Sequence, residues 1–301
     1  MHAIESKPVR QTHMSLAIPL LILALALLAG CADRKVELPP ISQTETGLHQ
    51  PGRFVWHDLL TDDLASAKRF YGSLFGWRFT EFPSADFEYS IAWNHGRPIS
   101  GFVAKDTEPP HPENQWFSLL SVEDVDLAVR QTRRSGGTVP LKPITAPERG
   151  RFAVIRDPEG IPLTVIRTRW GDPEPSEPRE NDWFWNELWT EEPGKTALFY
   201  RELAGYRIDS WPPRSDKELY LIFKHGEVPM AGATRQPLAG GRAAWLPYVR
   251  VSHLAGTVSR ARSLGGKVLI APSPDIRSGT VAVIADPSGA IFGIQQISPS
   301  P

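Results

Sequence analysis

Residues 54–77, FVWHDLLTDDLASAKRFYGSLFGW, align without a gap on residues 183–206, WFWNELWTEEPGKTALFYRELAGY, at an offset of 129. Trp56, Leu59, Thr61, Phe70, Tyr71, Leu74 and Gly76 meet Trp185, Leu188, Thr190, Phe199, Tyr200, Leu203 and Gly205. The offset persists downstream. Gly136-Gly137 faces Gly265-Gly266, and the DPEG run at Asp157 faces the DPSG run at Asp286. Only the loop around residues 104–114 calls for an adjustment, of about two residues. Self-similarity at one fixed spacing is the mark of duplication, so the chain holds two similar domains, residues 53–167 and 183–297. The linker between them, residues 168–182, is rich in Pro and acidic residues.

Each repeat has the same local pattern. A strand opens it at Phe54–Leu60, and a helix follows with Thr61 or Asp62 as N-cap. Leu64, Ala67, Phe70, Tyr71 and Leu74 fall at helical spacing, and Gly76 ends the helix. Strands are expected near WRFTEF, YSIAW and ISGFVA, with a turn at His95-Gly96. The second half restarts with the strand WFSLLSV and a helix over 123–135 that Gly136-Gly137 stops. The strands FAVIRD and IPLTVIR follow, joined by the Asp-Pro-Glu-Gly turn, in which Pro fixes φ and Gly takes positive φ. Strand, helix, strands, taken twice per repeat, makes four modules.

Outside the repeats the chain carries one cysteine, Cys31, directly after the apolar stretch 15–29, SLAIPLLILALALLA. Lys7 and Arg10 precede that stretch, and Ala29-Gly30 separates it from the cysteine. Basic, apolar, then small residues is the order of an export signal, and a membrane span needs ~20 apolar residues. The end of this segment resembles a bacterial lipobox. That resemblance implies a signal peptide over residues 1–30, cleavage before Cys31, lipidation of Cys31, and residence at the cell envelope. The outer membrane is expected where there is one, since Ala32 rather than Asp follows the cysteine. Residues 31–52 read as a flexible stalk.

The formal net charge of −1 leaves no basic excess for a phosphate backbone, which argues against nucleic acid as a partner. Ten Trp and thirteen Phe suit apolar pockets as well as packing.

The helix motif AKRFYGSLFGW, the Gly-Gly helix stop and the DPEG and DPSG hairpins, in this order and duplicated, resemble the vicinal oxygen chelate superfamily. That superfamily includes glyoxalases, extradiol dioxygenases and bleomycin-resistance proteins. The resemblance implies an α+β fold: tandem domains, each a pair of βαβββ modules whose curled mixed sheets enclose a cavity. Two facing repeats would do within one chain what two chains do in homodimeric relatives, so a monomer is expected. Metal-using members supply a ligand from the opening strand, one from the strand that opens the second module, and one seven residues after the Asp of the DPxG turn. Those positions fall here on Trp56, about Phe117 and Thr164, and on Trp185, about Leu246 and Gly293. None supplies imidazole, carboxylate or thiolate, so neither a metal nor another cofactor is expected. His57 and Gln115 lie one residue off, but a one-residue shift on a strand reverses the face.

Alternation along the opening strand puts Phe54, Trp56, Asp58 and Leu60 on one face and Val55, His57 and Leu59 on the other. By the resemblance, the Trp56 face looks into the cavity. Trp56 with Asp58, and Trp185 with Glu187, would then line a pocket for a small aromatic or cationic molecule. A carboxylate shielded from water could also serve as a general base. The structural alternative pairs the carboxylates with an arginine; Arg97, Arg151 and Arg250 are candidates by type. Binding without metal is the first functional expectation. A lyase, isomerase or dioxygenase with atypical ligands is the second, and an envelope interaction module without a small ligand the third.

Overall fold

The computed structural model describes residues 36–84, 87–105, 113–211 and 219–297. Cys31 and the apolar segment before it lie outside them. Two eight-stranded mixed sheets account for the described chain, one per repeat. The first contains β1 (Phe54–Thr61), β2 (Arg78–Phe82), β3 (Tyr89–Asn94), β4 (Arg97–Ala104), β5 (Gln115–Ser121), β6 (Thr138–Ala146), β7 (Gly150–Arg156) and β8 (Pro162–Thr168). The order β2-β3-β4-β1-β5-β8-β7-β6 joins two βαβββ modules through the antiparallel pair β1–β5. Within the modules, β1 runs parallel to β4 and β5 parallel to β8. The helices are α1 (Leu64–Phe75) and α2 (Val125–Arg134). The second sheet repeats this with β9 (Trp183–Thr190), β10 (Arg207–Trp211), β11 (Tyr220–His225), β12 (Val228–Arg235), β13 (Ala244–Val251), β14 (Lys267–Ile270), β15 (Val281–Ala285) and β16 (Ile291–Gln296). Its helices are α3 (Pro193–Ala204) and α4 (Leu254–Ser263).

Several local expectations are corrected. The cap of α1 is Asp63, whose side chain accepts from the Ser66 N–H, not Thr61 or Asp62. Gly76 does end α1, at φ +73°. The local sequence pattern does not mark strands β6 and β14, although the βαβββ modules implied by the resemblance require them. Pro140 and Pro143 in β6 argue against a central strand, and β6 sits at the sheet edge, where a missing N–H is tolerated. Alternation along β1 fails at its start. A register shift between Phe54 and Trp56 sends Phe54 toward Trp245 of the other repeat, with ring centroids 4.9 Å apart, while Val55 joins Trp56 in the concave cluster.

The helices explain why the repeats form one body. α1 and the first module share a core with α4 and the fourth module, including Phe70, Tyr71, Phe102, Val258 and Phe292, and Trp116 of β5 joins it. α2 and the second module share another with α3 and the third, including Val129, Ile155, Phe199, Tyr200 and Phe223, and Trp245 of β13 joins it. The two motifs that revealed the duplication lock these cores crosswise. Tyr71 donates to Asp286 Oδ2 at 3.1 Å, and Tyr200 donates to Asp157 Oδ2 at 2.9 Å. The other oxygen of each aspartate accepts the backbone N–H groups that close its own DPxG turn: Glu159 and Ile161 for Asp157, Ser288 and Ala290 for Asp286. Each FY helix thus closes the hairpin of the opposite repeat.

Where the backs of β1 and β9 meet, His57 Nε2 lies 3.1 Å from Asn186 Oδ1, which also accepts from the Ser118 hydroxyl. His57 and Asn186 are equivalent positions at the offset of 129. Burial depresses the His57 pKa to about 4 despite the Asn186 contact. The unfolded chain takes up this proton near 6.5, so stability is lost as pH falls from 6.5 toward 4. Asp157 acts in the opposite sense. Burial raises its pKa to about 6, so its contribution is complete below 3.8 and lost as pH rises through 6. Two opposing slopes of up to roughly 1.4 kcal/mol per pH unit flatten the profile between pH 4 and 6. In His57→Gln only the aspartate slope remains. Urea midpoints should then show the variant gaining on the wild type as pH falls from 7.5 to 4.5. An unchanged difference at both pH values would contradict this assignment.

Candidate functional site

The concave face of the first sheet carries a closed polar network. Asp58 Oδ1 accepts from Trp56 Nε1 at 2.8 Å and from the Tyr89 hydroxyl at 2.7 Å. Asp58 Oδ2 accepts from Arg149 Nη1 at 3.1 Å, and Arg149 Nη2 donates to the Tyr89 oxygen at 2.6 Å. The Arg149 guanidinium carbon lies 5.5 Å from the Trp56 ring centre and 5.3 Å from that of Tyr89. Burial alone would lower the Arg149 pKa; the Tyr89 and Asp58 oxygens outweigh that and raise it. Burial also pushes the Tyr89 phenol up, which keeps it a donor.

Glycine makes room for this network. A Cβ on Gly101 would stand 1.9 Å from the Tyr89 hydroxyl and 2.0 Å from Asp58 Oδ1. Gly101→Ala should therefore cost about 1–3 kcal/mol in urea unfolding, the usual range for overpacking a filled site. A cost near zero would mean that the network is not closed in solution.

The second sheet repeats the arrangement. Glu187 Oε1 accepts from Trp189 Nε1 and from the Tyr248 hydroxyl, both at 2.8 Å, and Oε2 accepts from Arg277 Nη2. Arg277 also donates to the Tyr220 hydroxyl at 2.6 Å and to Gln295 Oε1 at 3.1 Å. Trp185 Nε1 donates to the same Tyr220 oxygen at 3.1 Å. The Tyr220 and Tyr248 ring centres lie 5.0 and 5.5 Å from the Arg277 guanidinium carbon.

All four expected site residues therefore lie on the concave faces, Trp56 beside Asp58 and Trp185 beside Glu187. The arginine partners are Arg149 and Arg277, not Arg97, Arg151 or Arg250. Arg97 pairs with Asp182, Arg151 with Asp126, and Arg250 donates to the Pro178 carbonyl. Each carboxylate accepts from three donors, one of them an arginine. At the offset of 129, Arg149 faces Ser278, so a one-residue slip hides the arginine pair. Tyr89 and Tyr220 both open the second strand of the first hairpin of their repeat but stand 131 apart. A compensating two-residue change before β11 hid that correspondence.

The two faces differ in one respect. Residues 36–41, taken as part of a flexible stalk, are packed into the first. Val36, Leu38 and Ile41 are buried against Trp56, Tyr89, Leu119 and Phe152, and the Pro39 carbonyl accepts from Arg149 Nε at 3.0 Å. Residues 46–52 are held as well, through Asp172, which accepts from the Gln50 N–H, Ser121 Oγ and Thr168 Oγ1. Every member of the corresponding apolar cluster on the second face lies within the second repeat.

Comparison with known proteins agrees with this architecture. Residues 31–165 match the family model described as the Glyoxalase/Bleomycin resistance protein/Dioxygenase superfamily. "Putative glyoxylase CFP32" of Mycobacterium bovis is 29% identical over 249 residues, 81% of this chain and 94% of that protein. The anthracycline biosynthesis protein DauV of Streptomyces sp. (strain C5) is 32% identical over 122 residues, 40% of this chain and 42% of that protein. The 2,3-dioxygenase LapB from Pseudomonas sp. KL28 has a TM-score of 0.56 at 16% identity, covering 84% of this chain and 95% of that one. The Mn(II)-bound glyoxalase from Novosphingobium aromaticivorans has a TM-score of 0.55 at 12% identity, covering 83% of each chain. The superfamily match covers the first repeat, whose strand order the second repeat shares.

Strand register identifies what stands where metal-using members of the superfamily hold their ion. Trp56, Leu119 and Thr164 lie abreast on β1, β5 and β8; Trp185, Tyr248 and Gly293 do so on β9, β13 and β16. The middle positions are thus two residues beyond Phe117 and Leu246. Indole, an alkyl chain, one hydroxyl, one phenol and a glycine are not the donor set of a divalent transition-metal site. At Gly293 a Cβ would meet the Tyr248 ring at 2.3 Å, so a carboxylate there would displace Tyr248. Among the described residues, no three His, Cys, Asp or Glu side chains converge. A divalent transition metal does not fit the residues at these positions.

Proposed function

We propose that this chain is a metal-independent small-molecule-binding protein of that superfamily. The reading rests on one observation: on both concave faces an arginine has been drawn onto the neighbouring carboxylate, where relatives assemble metal ligands. A guanidinium over aromatic rings leaves an apolar pocket with a fixed cationic hydrogen-bond donor, which suits recognition of a small organic molecule. It replaces the cation-selective pocket expected from Trp and carboxylate alone, because the positive charge is already supplied. The names of the relatives speak for enzymatic function, and a lyase, isomerase or dioxygenase with unusual ligands is the competing reading.

The test is a thermal-stability screen of the purified chain against a broad small-molecule collection, with and without EDTA. Binding at 100 times Kd adds ~2.7 kcal/mol. Ligands that stabilise equally in EDTA support the proposal. A collection in which nothing stabilises, or in which every effect vanishes with EDTA, contradicts it.

The proposal includes an envelope anchor through lipid on Cys31. Its support is the sequence order of basic, apolar and small residues before that cysteine. Since the packed chain begins by Val36, only four residues, 32–35, would separate Cys31 from the fold, a reach of at most roughly 18 Å. Cys31→Ser should move the protein from the membrane to the soluble fraction. An unchanged distribution would refute the anchor.

A further inference from the structure

We infer that the ligand site is the concave face of the second repeat, and that its ligand combines an apolar body with a carbonyl or carboxylate oxygen accepting from Arg277 Nε. This rests on the binding function proposed above and specifies its place and chemistry.

The first repeat supplies the precedent. Its concave face is occupied by the chain's own residues 36–41, whose apolar side chains cover Trp56 and Tyr89 and whose Pro39 carbonyl takes the Arg149 Nε–H. All three nitrogens of Arg149 are thereby engaged, and its side chain is 1% exposed. The second face has the same arginine, carboxylate, tyrosine and tryptophan, and among the described residues no strap covers it. Residues 169–182, which precede the second repeat, are held elsewhere. The Glu180 carbonyl accepts from Asn94 Nδ2, and the Arg179 N–H donates to Asp182. Arg277 Nη1 and Nη2 hold Gln295, Glu187 and Tyr220, while no acceptor among the described residues takes its Nε–H. Its side chain is 28% exposed.

The backbone is consistent with a presented group. Arg277 and Ser278 both adopt positive φ, +46° and +57°, which non-glycine residues rarely do because of backbone strain. Such geometry persists where the surroundings hold it, and here it aims a guanidinium over Tyr220 and Tyr248. Half-buried Phe184 and Trp185 extend the apolar wall. A ligand oxygen on Nε would reproduce the Pro39 contact, and a flat or aliphatic body would reproduce the cover given by Val36, Leu38 and Ile41.

Three probes test this on the purified chain: 2-naphthoate, 2-naphthamide and 2-naphthyltrimethylammonium, titrated by calorimetry. The first two should bind saturably and the cation at least tenfold more weakly. Arg277→Gln should weaken 2-naphthoate binding at least tenfold. As a check that needs no variant, phenylglyoxal should modify Arg277 faster than Arg149, and 2-naphthoate should slow modification of Arg277 in the peptide mass map. Failure of both carbonyl probes to bind, equal binding by Arg277→Gln, preference for the cation, or unaltered Arg277 modification would overturn the inference. A stabilising ligand from the broad screen that leaves Arg277 unprotected would overturn it while leaving metal-independent binding intact.

Discussion

Arg149→Met should lower stability by about 3–5 kcal/mol, the usual cost of removing one partner of a buried ion pair. The guanidinium is almost wholly buried and bonds to three groups, Asp58, Tyr89 and the Pro39 carbonyl. Its removal leaves the Asp58 carboxylate with only the Trp56 and Tyr89 donors and detaches the strap. The double variant Asp58→Leu/Arg149→Met removes both charges, and buried pairs replaced by apolar side chains often cost little or nothing. Urea unfolding of the wild type, both single variants and the double variant gives the coupling. The double variant should be more stable than Arg149→Met alone. A loss below about 1 kcal/mol in Arg149→Met would mean that the pair is solvated, and the account of a closed first cavity would fail.

Tyr71→Phe and Tyr200→Phe together should cost about 2–6 kcal/mol, from about 1–3 kcal/mol for each buried acceptor that loses its donor. The two bonds share no partner, so the losses should add. Burial already raises the pKa of Asp286 and brings that of Asp157 to about 6. Loss of a donor to the charged form raises each further, so the penalty should shrink below pH 5 as the carboxyls protonate. Because both bonds cross between repeats, the transition should broaden as well as shift. A single sharp transition with an unchanged midpoint would show that the crosswise locks contribute nothing.

How far the sequence discloses this protein follows from which interactions are local. The helices, the DPxG turns and the duplication were legible because each rests on spacing within a short window. Tyr71 and Asp157 were visible as motif residues, yet their partners lie 215 and 43 positions away, in the opposite repeat. The strap was misread for a related reason. Val36, Leu38 and Ile41 alternate too briefly, and beside Pro39-Pro40 they look like spacer. Their burial depends on a cavity assembled from strands well over a dozen residues further on.

The concave faces divide along the same line. Trp56, Asp58, Trp185 and Glu187 were found because strand alternation is a local rule. Arg149 and Arg277 were not, since each sits in an irregular loop before β7 or β15, where no periodicity says which way a side chain turns. A search for a basic residue shared by both repeats, allowing a one-residue slip, would have found them. The register shift at the start of β1 defeated alternation at Phe54, and no residue type there announces it.

Metal content of the purified chain tests the central claim most directly. Elemental analysis of protein prepared without chelator should find Zn, Mn, Fe and Ni each far below one ion per chain, and metal added back should not raise thermal stability. About one ion per chain of any of them, lost when Asp58 or Glu187 is replaced, would contradict the account and restore the enzymatic reading.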